Sequence, residues 1–368
     1  MVEWKKLGEI GEICMCKRIM KDQTSDNGDI PFYKIGTFGK KADAYISRNL
    51  FENYKTNFSY PKKGEILISA AGTIGRSVVF DGEDAYYQDS NIVWIANDEK
   101  TVTNRFLFYF YQIAEWKTDG GTIKRLYNYN LKNTKIPVPS LEEQNRIVGI
   151  LDTFMDSIEN LKQQISQRRK QYEHYRDQLL DLEGKEGVEW KKLNTVCEVI
   201  NGRAYKQQEL LATGKYRVLR VGNFFSNDSW YFSDLELDDK YYCNEGDLLY
   251  AWSASFGPHI WTEEKTIYHY HIWKMNCSEE LDKKYMFYWL QSENMRKQAF
   301  SHLHGATMAH LTKALMESLN VPLLPLSEQQ RIVSILDTFE ASISNLEAQL
   351  AQRQKQYEYY RNQLLTFE

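Results

Sequence analysis

Cysteine is scarce in this chain and does not cluster. The five cysteines among 368 residues are Cys14, Cys16, Cys197, Cys243 and Cys277. An odd, scattered set does not indicate a disulfide framework, and it lacks the paired spacing of a zinc site. We therefore expect free thiols in a reducing, cytoplasmic compartment.

Long apolar runs are also missing. No stretch is long enough to cross a bilayer. The first ten residues, MVEWKKLGEI, lack the apolar core of a signal peptide. We expect a protein without membrane association.

Motifs of catalysis and cofactor binding are absent as well. The sequence contains neither a Walker motif nor a glycine-rich cofactor loop. Two histidine pairs, His269 with His271 and His302 with His304, have the i, i+2 spacing that places both rings on one strand face. The cysteines have no zinc spacing that would complete such a site. We therefore predict no catalytic residue and no metal ligand.

The sequence also has no strong excess of charge of one sign. The net charge is −4, from 46 basic and 50 acidic residues. Residues 1–140 carry 20 basic and 17 acidic side chains, whereas residues 188–325 carry 15 and 17. A surface for nucleic acid would therefore be a local patch and not a global field.

What the chain does contain is an internal duplication. Residues 141–183 and 326–368 align without gaps and are identical at 28 of 43 positions. The hexapeptide VEWKKL also occurs twice, at 2–7 and 188–193. The domain order is a first globular segment (1–140), a helix (141–183), a Gly-Lys-Glu-Gly linker (184–187), a second globular segment (188–325) and a second helix (326–368). Such a duplication predicts a pseudo-twofold repeat.

Each duplicated segment is expected to form one long helix. Apolar residues recur at alternating steps of four and three, which is the seam of a coiled coil, and two matching helices of this kind favour an antiparallel pair. The repeat is interrupted once in each copy, at Arg168 and at Arg353. Ser140 with Glu143, and Ser327 with Gln330, have the spacing of capping boxes. The predicted seam consists of Ile147, Leu151, Phe154, Ile158, Leu161, Ile165, Tyr172, Tyr175, Leu179, Ile332, Leu336, Phe339, Ile343, Leu346, Leu350, Tyr357, Tyr360 and Leu364.

The globular segments are expected to be mixed α/β. Short β-branched and aromatic runs at 66–69, 77–80 and 92–95 predict strands, and 104–116 and 282–299 predict helices. The two globular segments match each other only in outline, although the helices match closely. Conserved helices suit mutual packing or a shared partner, and divergent globular segments suit two different targets. Neutral drift of a duplicated scaffold is the alternative.

Three blocks of sequence resemble the specificity subunits of type I restriction–modification enzymes. Residues 136–148 read IPVPSLEEQNRIV and residues 321–333 read VPLLPLSEQQRIV. In that family a proline-rich turn followed by an E-Q-x-R-I-V helix start closes each target-recognition domain. Residues 64–75, GEILISAAGTIG, resemble a family core block, and their counterpart at 246–257 departs from it after the strand.

The resemblance implies a subunit without catalysis of its own. Two target-recognition domains would each read one half of a split target in double-stranded DNA, and the antiparallel helices would act as a spacer. Two methyltransferase subunits carrying S-adenosylmethionine would dock on the chain, and restriction subunits could join. Because the two globular segments differ, the half-sites should differ too. Half-sites would then lie at a spacing set by the helices.

Candidate DNA contacts are side chains that can donate to base edges or phosphates. In the first globular segment they are Lys34, Lys40, Lys41, Ser69, Thr73, Arg76, Asn91, Lys124, Arg125 and Asn128. In the second they are Arg203, Arg217, Arg220, Asn223, Ser253, Ser255, His259, His269, His271, His310 and Lys313. Each residue taken alone is also compatible with a solvated surface position.

Two other function classes are weighed against DNA recognition. A coiled-coil interaction scaffold would use the helices and leave DNA unread. An enzyme would need a convergent catalytic set. Residues 258–265, PHIWTEEK, end in the Glu-x-Lys of restriction nucleases, but His259 stands where an acidic metal ligand is required.

Two expectations concern the helices and the chain ends. Val148, Ile150, Leu180, Val333, Ile335 and Leu365 are apolar, match across the copies and lie off the seam, so they either pack on the globular segments or dock the methyltransferases. The repeat also reads as a two-unit circle opened at one of two equivalent junctions. The chain start and end should then lie within roughly 20 Å, the reach of a four-residue linker.

Overall fold

A computed structural model describes residues 2–120, 124–225, 227–253, 255–300 and 311–367, without the side chains of Ser255 and Phe300. The chain forms two compact units, Met1–Lys162 with Gln349–Glu368, and Gln163–Ala348. We call residues 1–140 and 188–325 the first and second head. Each unit therefore holds one head and a part of both long helices.

The first unit contains the first head. Its strands are β1 (Glu3–Lys6), β2 (Gly11–Cys14), β3 (Ile30–Tyr33), β4 (Tyr45–Ile46), β5 (Ile66–Ser69), β6 (Ser77–Val79), β7 (Tyr86–Tyr87), β8 (Ile92–Asn97) and β9 (Lys135–Val138). Its helices are α1 (Leu7–Ile10), α2 (Arg48–Asn57), α3 (Asn104–Tyr111) and α4 (Asn128–Asn133), with a 3₁₀ turn at Lys21–Gln23. Helix α5 (Leu141–Leu180) begins here.

A four-stranded sheet of order β2-β8-β5-β6 lies at the centre of the first unit. Ile66 and Ile68 of β5 face a core built with α3 and the long helices, whereas Leu67 faces a second core that contains Phe51 of α2. Both faces are covered, which explains why β5 is apolar at consecutive positions. Smaller sheets of order β4-β3-β7 and β1-β9 complete the unit.

The second unit contains the second head. Its strands are β10 (Glu189–Lys192), β11 (Cys197–Asn201), β12 (Tyr216–Leu219), β13 (Tyr231–Ser233), β14 (Tyr242–Cys243), β15 (Leu248–Ser253), β16 (Ser255–Ile260), β17 (Thr266–Tyr268), β18 (Ile272–Cys277) and β19 (Asn320–Leu323). Its helices are α6 (Leu193–Val196), α7 (Lys283–Trp289), α8 (Glu293–Phe300), α9 (Lys313–Ser318) and the start of α10 (Leu326–Leu365), with 3₁₀ turns at Gln207–Glu209, Val221–Phe224 and Asp239–Tyr241.

The two heads share one topology. The central sheet of the second head has the order β11-β18-β15-β16, which repeats β2-β8-β5-β6 strand for strand. Outside the central sheet, each head has one pair of parallel strands, β3 with β7 in the first head and β12 with β17 in the second. The mixed α/β fold and the internal repeat predicted from the sequence are confirmed.

The long helices pack against each other in antiparallel fashion. Within the first unit Phe154 stacks on Tyr360, and within the second unit Tyr175 stacks on Phe339, each pair with ring centroids 5.4 Å apart. Residue numbers therefore increase along α5 while those of the contacting residues decrease along α10, so the two helices run in opposite directions. The predicted antiparallel pair is confirmed, although Tyr175 and Tyr360 remain 44% and 43% exposed.

The two arginines that interrupt the seam have a defined place. The guanidinium of Arg168 lies over the ring of Phe339, and that of Arg353 lies over the ring of Phe154, at 5.9 and 5.6 Å from the ring centroids. A stacked guanidinium covers an apolar surface and keeps its N–H groups in water. The charge at this heptad position therefore continues the packing of the seam.

The start of each long helix is anchored in its head by a buried glutamine. Gln144 Nε2 donates to the carbonyls of Thr101 and Pro139, and its Oε1 accepts from the N–H of Thr103, all at 2.9 Å. Gln329 makes the same three bonds, to Glu280, Leu324 and Asp282. Full satisfaction of a buried amide fixes the direction in which the helix leaves the head.

The end of each long helix closes the core of the head that does not precede it. Tyr357 Oη donates to Gln112 Oε1 at 2.7 Å within the first unit, and Tyr172 Oη donates to Gln291 Oε1 at 3.4 Å within the second. Leu365 and Leu180 are buried in these same cores. The suggestion that Leu180 and Leu365 dock methyltransferases is therefore wrong, because both side chains are inside the protein.

Some predicted boundaries also need correction. Helix α3 ends at Tyr111, and the helix expected over 282–299 is divided into α7 and α8. The division occurs because Ser292 caps α8, with its Oγ accepting from the N–H of Met295 at 3.2 Å. Ser140 caps α5 as predicted, but α10 begins one residue before Ser327, so the second capping box is wrong.

The predictions about thiols and membranes can be compared with the structure directly. All five cysteines are free, as expected. Among the residues that the structure describes, no helix combines the length and apolarity needed to span a bilayer.

Candidate nucleic-acid interface

Loops from four separate parts of the first head meet at one end of its central sheet. Arg76 Nη1 donates to the carbonyl of Phe38 at 3.0 Å, which joins the β5–β6 loop to the segment that carries Lys34, Lys40 and Lys41. Asn91 joins the same assembly, because its carbonyl accepts from the N–H of Ala70 at 2.8 Å.

The fourth loop is held by a backbone and a side-chain bond. The N–H of Leu126 donates to the carbonyl of Ala70 at 2.9 Å, and Arg125 Nη2 donates to Asn91 Oδ1 at 2.5 Å. Candidates that lie far apart in sequence are thus brought together. Distant loops at the end of a rigid sheet are a common place for binding residues.

The individual candidates of the first head differ in what they can contact. Ser69 is 1% exposed and its Oγ binds Thr73 and the N–H of Arg76, so Ser69 shapes the loop from inside. Lys34 pairs with Asp43 at 2.9 Å. The exposed side chains of the set are Lys40, Lys41, Thr73, Lys124 and Asn128.

Two exposed aromatic residues beside these candidates were missed by the sequence prediction. Tyr127 and Tyr129 flank Asn128, stack with ring centroids 6.3 Å apart, and are 44% and 56% exposed. Aromatic faces beside basic side chains are a usual means of contacting nucleic acid. The signal available in the sequence was the run Tyr-Asn-Tyr next to Lys124 and Arg125.

In the second head three loops converge in the corresponding place. Trp252, near the end of β15, donates its backbone N–H to His271 O at 3.1 Å and its indole N–H to Tyr270 O at 2.8 Å. His269 donates its N–H to Leu219 O at 2.9 Å, which adds the loop after β12. Residues 269–271 form a turn between β17 and β18, so the prediction that His269 and His271 share a strand face is wrong.

Several candidates of the second head are engaged in internal bonds. Arg203 forms a bidentate pair with Glu209, at 2.8 and 2.9 Å, and Arg217 pairs with Glu263 and Glu264 at 2.6 and 3.0 Å. The side-chain amide of Asn223 is bonded within its own loop. Such bonds hold these side chains to the head.

The remaining candidates lie in different surroundings. Arg220 is next to His269 and stacks on Tyr231, with its guanidinium carbon 4.3 Å from the ring centroid. Ser253 ends β15, and the ring of His259 packs against Phe224 at 4.7 Å.

Three candidates cannot be placed in this group. Lys313 lines a separate cleft with Cys197 and Cys277 and pairs with Glu317 at 3.5 Å. His310 and the side chain of Ser255 lie outside the described residues.

Two histidines of this interface are biased toward the neutral form. Burial, with the nearby charges of His271 and Arg220, lowers the pKa of His269 to about 4. Burial also lowers the pKa of His259, against the opposing charge of Glu263. A neutral imidazole carries one donor and one acceptor, which suits the reading of base edges. In the described part of the chain no three His, Cys, Asp or Glu side chains form a possible metal site.

The structure thus defines a class of protein with two modules of one topology. The modules carry different side chains at the corresponding ends of their sheets, and each is built around parts of the same two helices. A family model described as the type I restriction modification DNA specificity domain matches residues 1–168 and again 185–354. The chain therefore belongs to this family and carries two copies of the domain.

Two relatives agree with this membership. The chain is 62% identical over 182 residues to a putative type I restriction enzyme specificity subunit of Haemophilus influenzae, covering 48% of this chain and 47% of that one. It is 26% identical to the EcoR124I/EcoR124II specificity subunit of Escherichia coli, over 100% of this chain and 94% of the relative.

The fold is similar to two solved structures. One is a chain from a structural study of complex assembly and conformational transition in the type I restriction–modification system. It matches with a TM-score of 0.63 and 17% identity, over 99% of this chain and 96% of that chain. The S subunit from M. genitalium matches with a TM-score of 0.58 and 15% identity, over 100% and 97%.

Proposed function

We propose that this chain is the DNA-reading subunit of a type I restriction–modification system, and that each head reads one half of a split, asymmetric target. The reading domains are 1–140 and 188–325, segments 141–183 and 326–368 form the spacer, and 184–187 is the linker. The subunit acts in the cytoplasm, where its cysteines stay reduced.

The observation that carries this proposal is the contrast between framework and loops. The two heads repeat the same strand order and the same glutamine anchor, yet the side chains at the loop ends differ. Backbone contacts to phosphate would position both heads alike, whereas different side chains would read different bases. An asymmetric target follows from this arrangement.

The partners follow from the family. Two methyltransferase subunits dock on the chain, one for each copy of the repeat, and restriction subunits can join. S-adenosylmethionine is carried by the methyltransferase, and this chain supplies no catalytic residue and no cofactor site. Its contribution is to place the methyltransferase on the chosen base.

The test is to map DNA methylation in a host that expresses this chain with its methyltransferase. We expect one split, non-palindromic motif to be methylated. Purified complex should shift a duplex carrying that motif, and a duplex with either half-site scrambled should bind more weakly by about tenfold or more at the same salt.

The matched control is the methyltransferase expressed without this chain, which should leave the motif unmethylated. A complex that assembles but binds every duplex equally would contradict the proposal. In that case the chain would be an interaction scaffold whose helices bind the methyltransferase without reading DNA.

A further inference from the structure

Two positions are held by the same backbone hydrogen bonds in both heads but carry different side chains. The first position follows the parallel strand that enters the interface, β3 or β12, and it is Lys34 in the first head and Arg220 in the second. Each residue donates its backbone N–H to the side chain three residues later, Thr37 Oγ1 or Asn223 Oδ1, at 3.1 Å in both cases. The two heads therefore hold a basic residue at one equivalent point.

The second position follows the partner strand, β7 or β17. Gln88 donates its N–H to Tyr33 O, and His269 donates its N–H to Leu219 O, both at 2.9 Å. Tyr33 and Leu219 are the last residues of β3 and β12, so Gln88 and His269 are equivalent as well. Each head thus presents a basic residue beside a second polar residue, at a point set by the parallel strand pair.

Arg220 differs from the other candidate arginines of its head. Arg203 and Arg217 form carboxylate pairs, whereas the buried Nε of Arg220 has no hydrogen-bond partner among the described residues. The guanidinium carbon lies over the ring of Tyr231, 4.3 Å from its centroid. A planar guanidinium that is supported by an aromatic ring and forms no carboxylate pair among the described residues is suited to the two acceptors, O6 and N7, of a guanine.

The neighbouring histidine is set up as a donor. Its Nδ1 accepts the backbone N–H of His271 at 3.5 Å, a contact that favours the tautomer with the ring proton on Nε2. Because the pKa of His269 is about 4, the ring stays neutral at physiological pH and adds no phosphate-seeking charge. Arg220 and His269 together offer donors, which matches an edge rich in acceptors.

We infer that Arg220 reads a guanine in the half-site of the second head, with His269 as the adjacent donor. Lys34 and Gln88 occupy the equivalent positions of the first head, but Lys34 pairs with Asp43 and Gln88 Oε1 accepts the N–H of Ile35. This inference rests on the proposed function. It goes further by assigning one base and the side chains that read it.

The experiment compares Arg220→Ala with wild type in the assembled complex with the methyltransferase. Binding is measured on duplexes in which each base pair of the split motif is changed in turn. We expect Arg220→Ala to lose about 5- to 150-fold discrimination at one G·C pair of one half-site, the range that a bidentate contact provides. Discrimination in the other half-site should not change.

Two controls separate base reading from charge and folding. Arg217→Ala removes an arginine of the same head that is held by Glu263 and Glu264, and it should leave base preference intact. Arg220→Lys keeps the charge and loses the fork, so it should fail to restore discrimination.

Three results would overturn the inference. They are unchanged discrimination in a folded Arg220→Ala complex, full discrimination with Arg220→Lys, and equal loss with Arg217→Ala. Folding is checked by thermal melting. If Arg220→Ala does not fold, His269→Gln is measured instead, and we expect it to lose discrimination at the adjacent base pair. If wild type itself shows no base preference, the proposed function fails and not this assignment.

Discussion

At the scale of residues, the sequence motif E-Q-x-R-I-V has a structural explanation in its glutamine. Gln144 and Gln329 are 0% exposed and each makes three bonds to backbone groups of its head. In each copy the glutamate before the glutamine pairs on the surface with the arginine after it, Glu143 with Arg146 and Glu328 with Arg331. The motif is therefore an anchor between helix and head.

This anchor can be tested by Gln144→Leu. The substitution keeps the volume but leaves two carbonyls and one N–H buried without partners, so we expect a loss of about 2–4 kcal/mol in the free energy of unfolding. Urea denaturation measures the loss. Asn145→Leu, at the exposed neighbouring position, should cost less than about 0.5 kcal/mol, and equal effects of the two variants would refute the anchor.

Leu180 and Leu365 provide a second test at the residue scale. Both are 2% exposed or less, in the cores of the second and first unit. A charge at either position would be buried without a partner, so we expect Leu180→Glu and Leu365→Glu to unfold the corresponding unit, at a cost above about 3 kcal/mol. The measurement is urea denaturation with Gln178→Glu as the exposed control. A variant that folds normally but no longer binds methyltransferase would return these residues to a docking role.

At the scale of elements, the two long helices pack along a seam and stack aromatic rings on each other at two points. Phe154 and Phe339 are each covered by a tyrosine and an arginine from the other helix. A heptad repeat predicts which residues face a partner helix, but the heads also pack on these helices. Several seam positions, such as Tyr357 and Tyr172, therefore bind head residues.

The seam itself is tested by Leu161→Glu and Leu346→Glu. Both leucines are half-buried, so each substitution should remove about 1–2 kcal/mol of apolar burial. We expect a lower melting temperature and weaker binding of the split target by the assembled complex. Glu159→Gln, at an exposed position of α5, is the control. If both leucine variants melt and bind like wild type, these positions do not belong to the seam.

At the scale of the whole molecule, the first unit holds both the beginning and the end of the chain. Trp4 and Phe367 line one cleft of about 590 Å³ in that unit. In the second unit Leu182 and Lys185, near the linker, line a cleft with the start of α10. This placement agrees with the circular arrangement expected from the repeat.

A circular permutant tests the arrangement. A second Gly-Lys-Glu-Gly linker joins Glu368 to Val2, and the chain is reopened between Gly184 and Gly187. Neither head nor seam is altered and a short loop costs little to close, so we expect the permutant to fold and to recognise the same split target. Methylation mapping measures recognition. A soluble permutant whose complex with the methyltransferase methylates a different motif, or none, would exclude the circular arrangement.

Periodicity and repetition in the sequence were sufficient to predict the repeat and the antiparallel helices, because helical seams and duplicated motifs are local patterns. Short β-branched and aromatic runs indicated the mixed α/β fold, and the family was indicated by the resemblance of residues 64–75, 136–148 and 321–333 to known specificity subunits. Candidate loops 69–76 and 124–130 could also be proposed from their basic and small polar residues. The bounds of α7 and α8 depended on the capping contacts of Asp282 and Ser292, which a pattern of apolar residues does not reveal.

Only the tertiary structure decided which candidates remain available to contact DNA. Arg203, Arg217 and Arg220 look alike in sequence, yet two are paired with carboxylates and one is stacked and unpaired. Leu180 and Leu365 likewise lie on matched helix faces, but their burial depends on heads that the chain folds around distant segments. Pairing and burial are long-range properties, because the partner of a side chain is set by the fold and not by its neighbours in sequence.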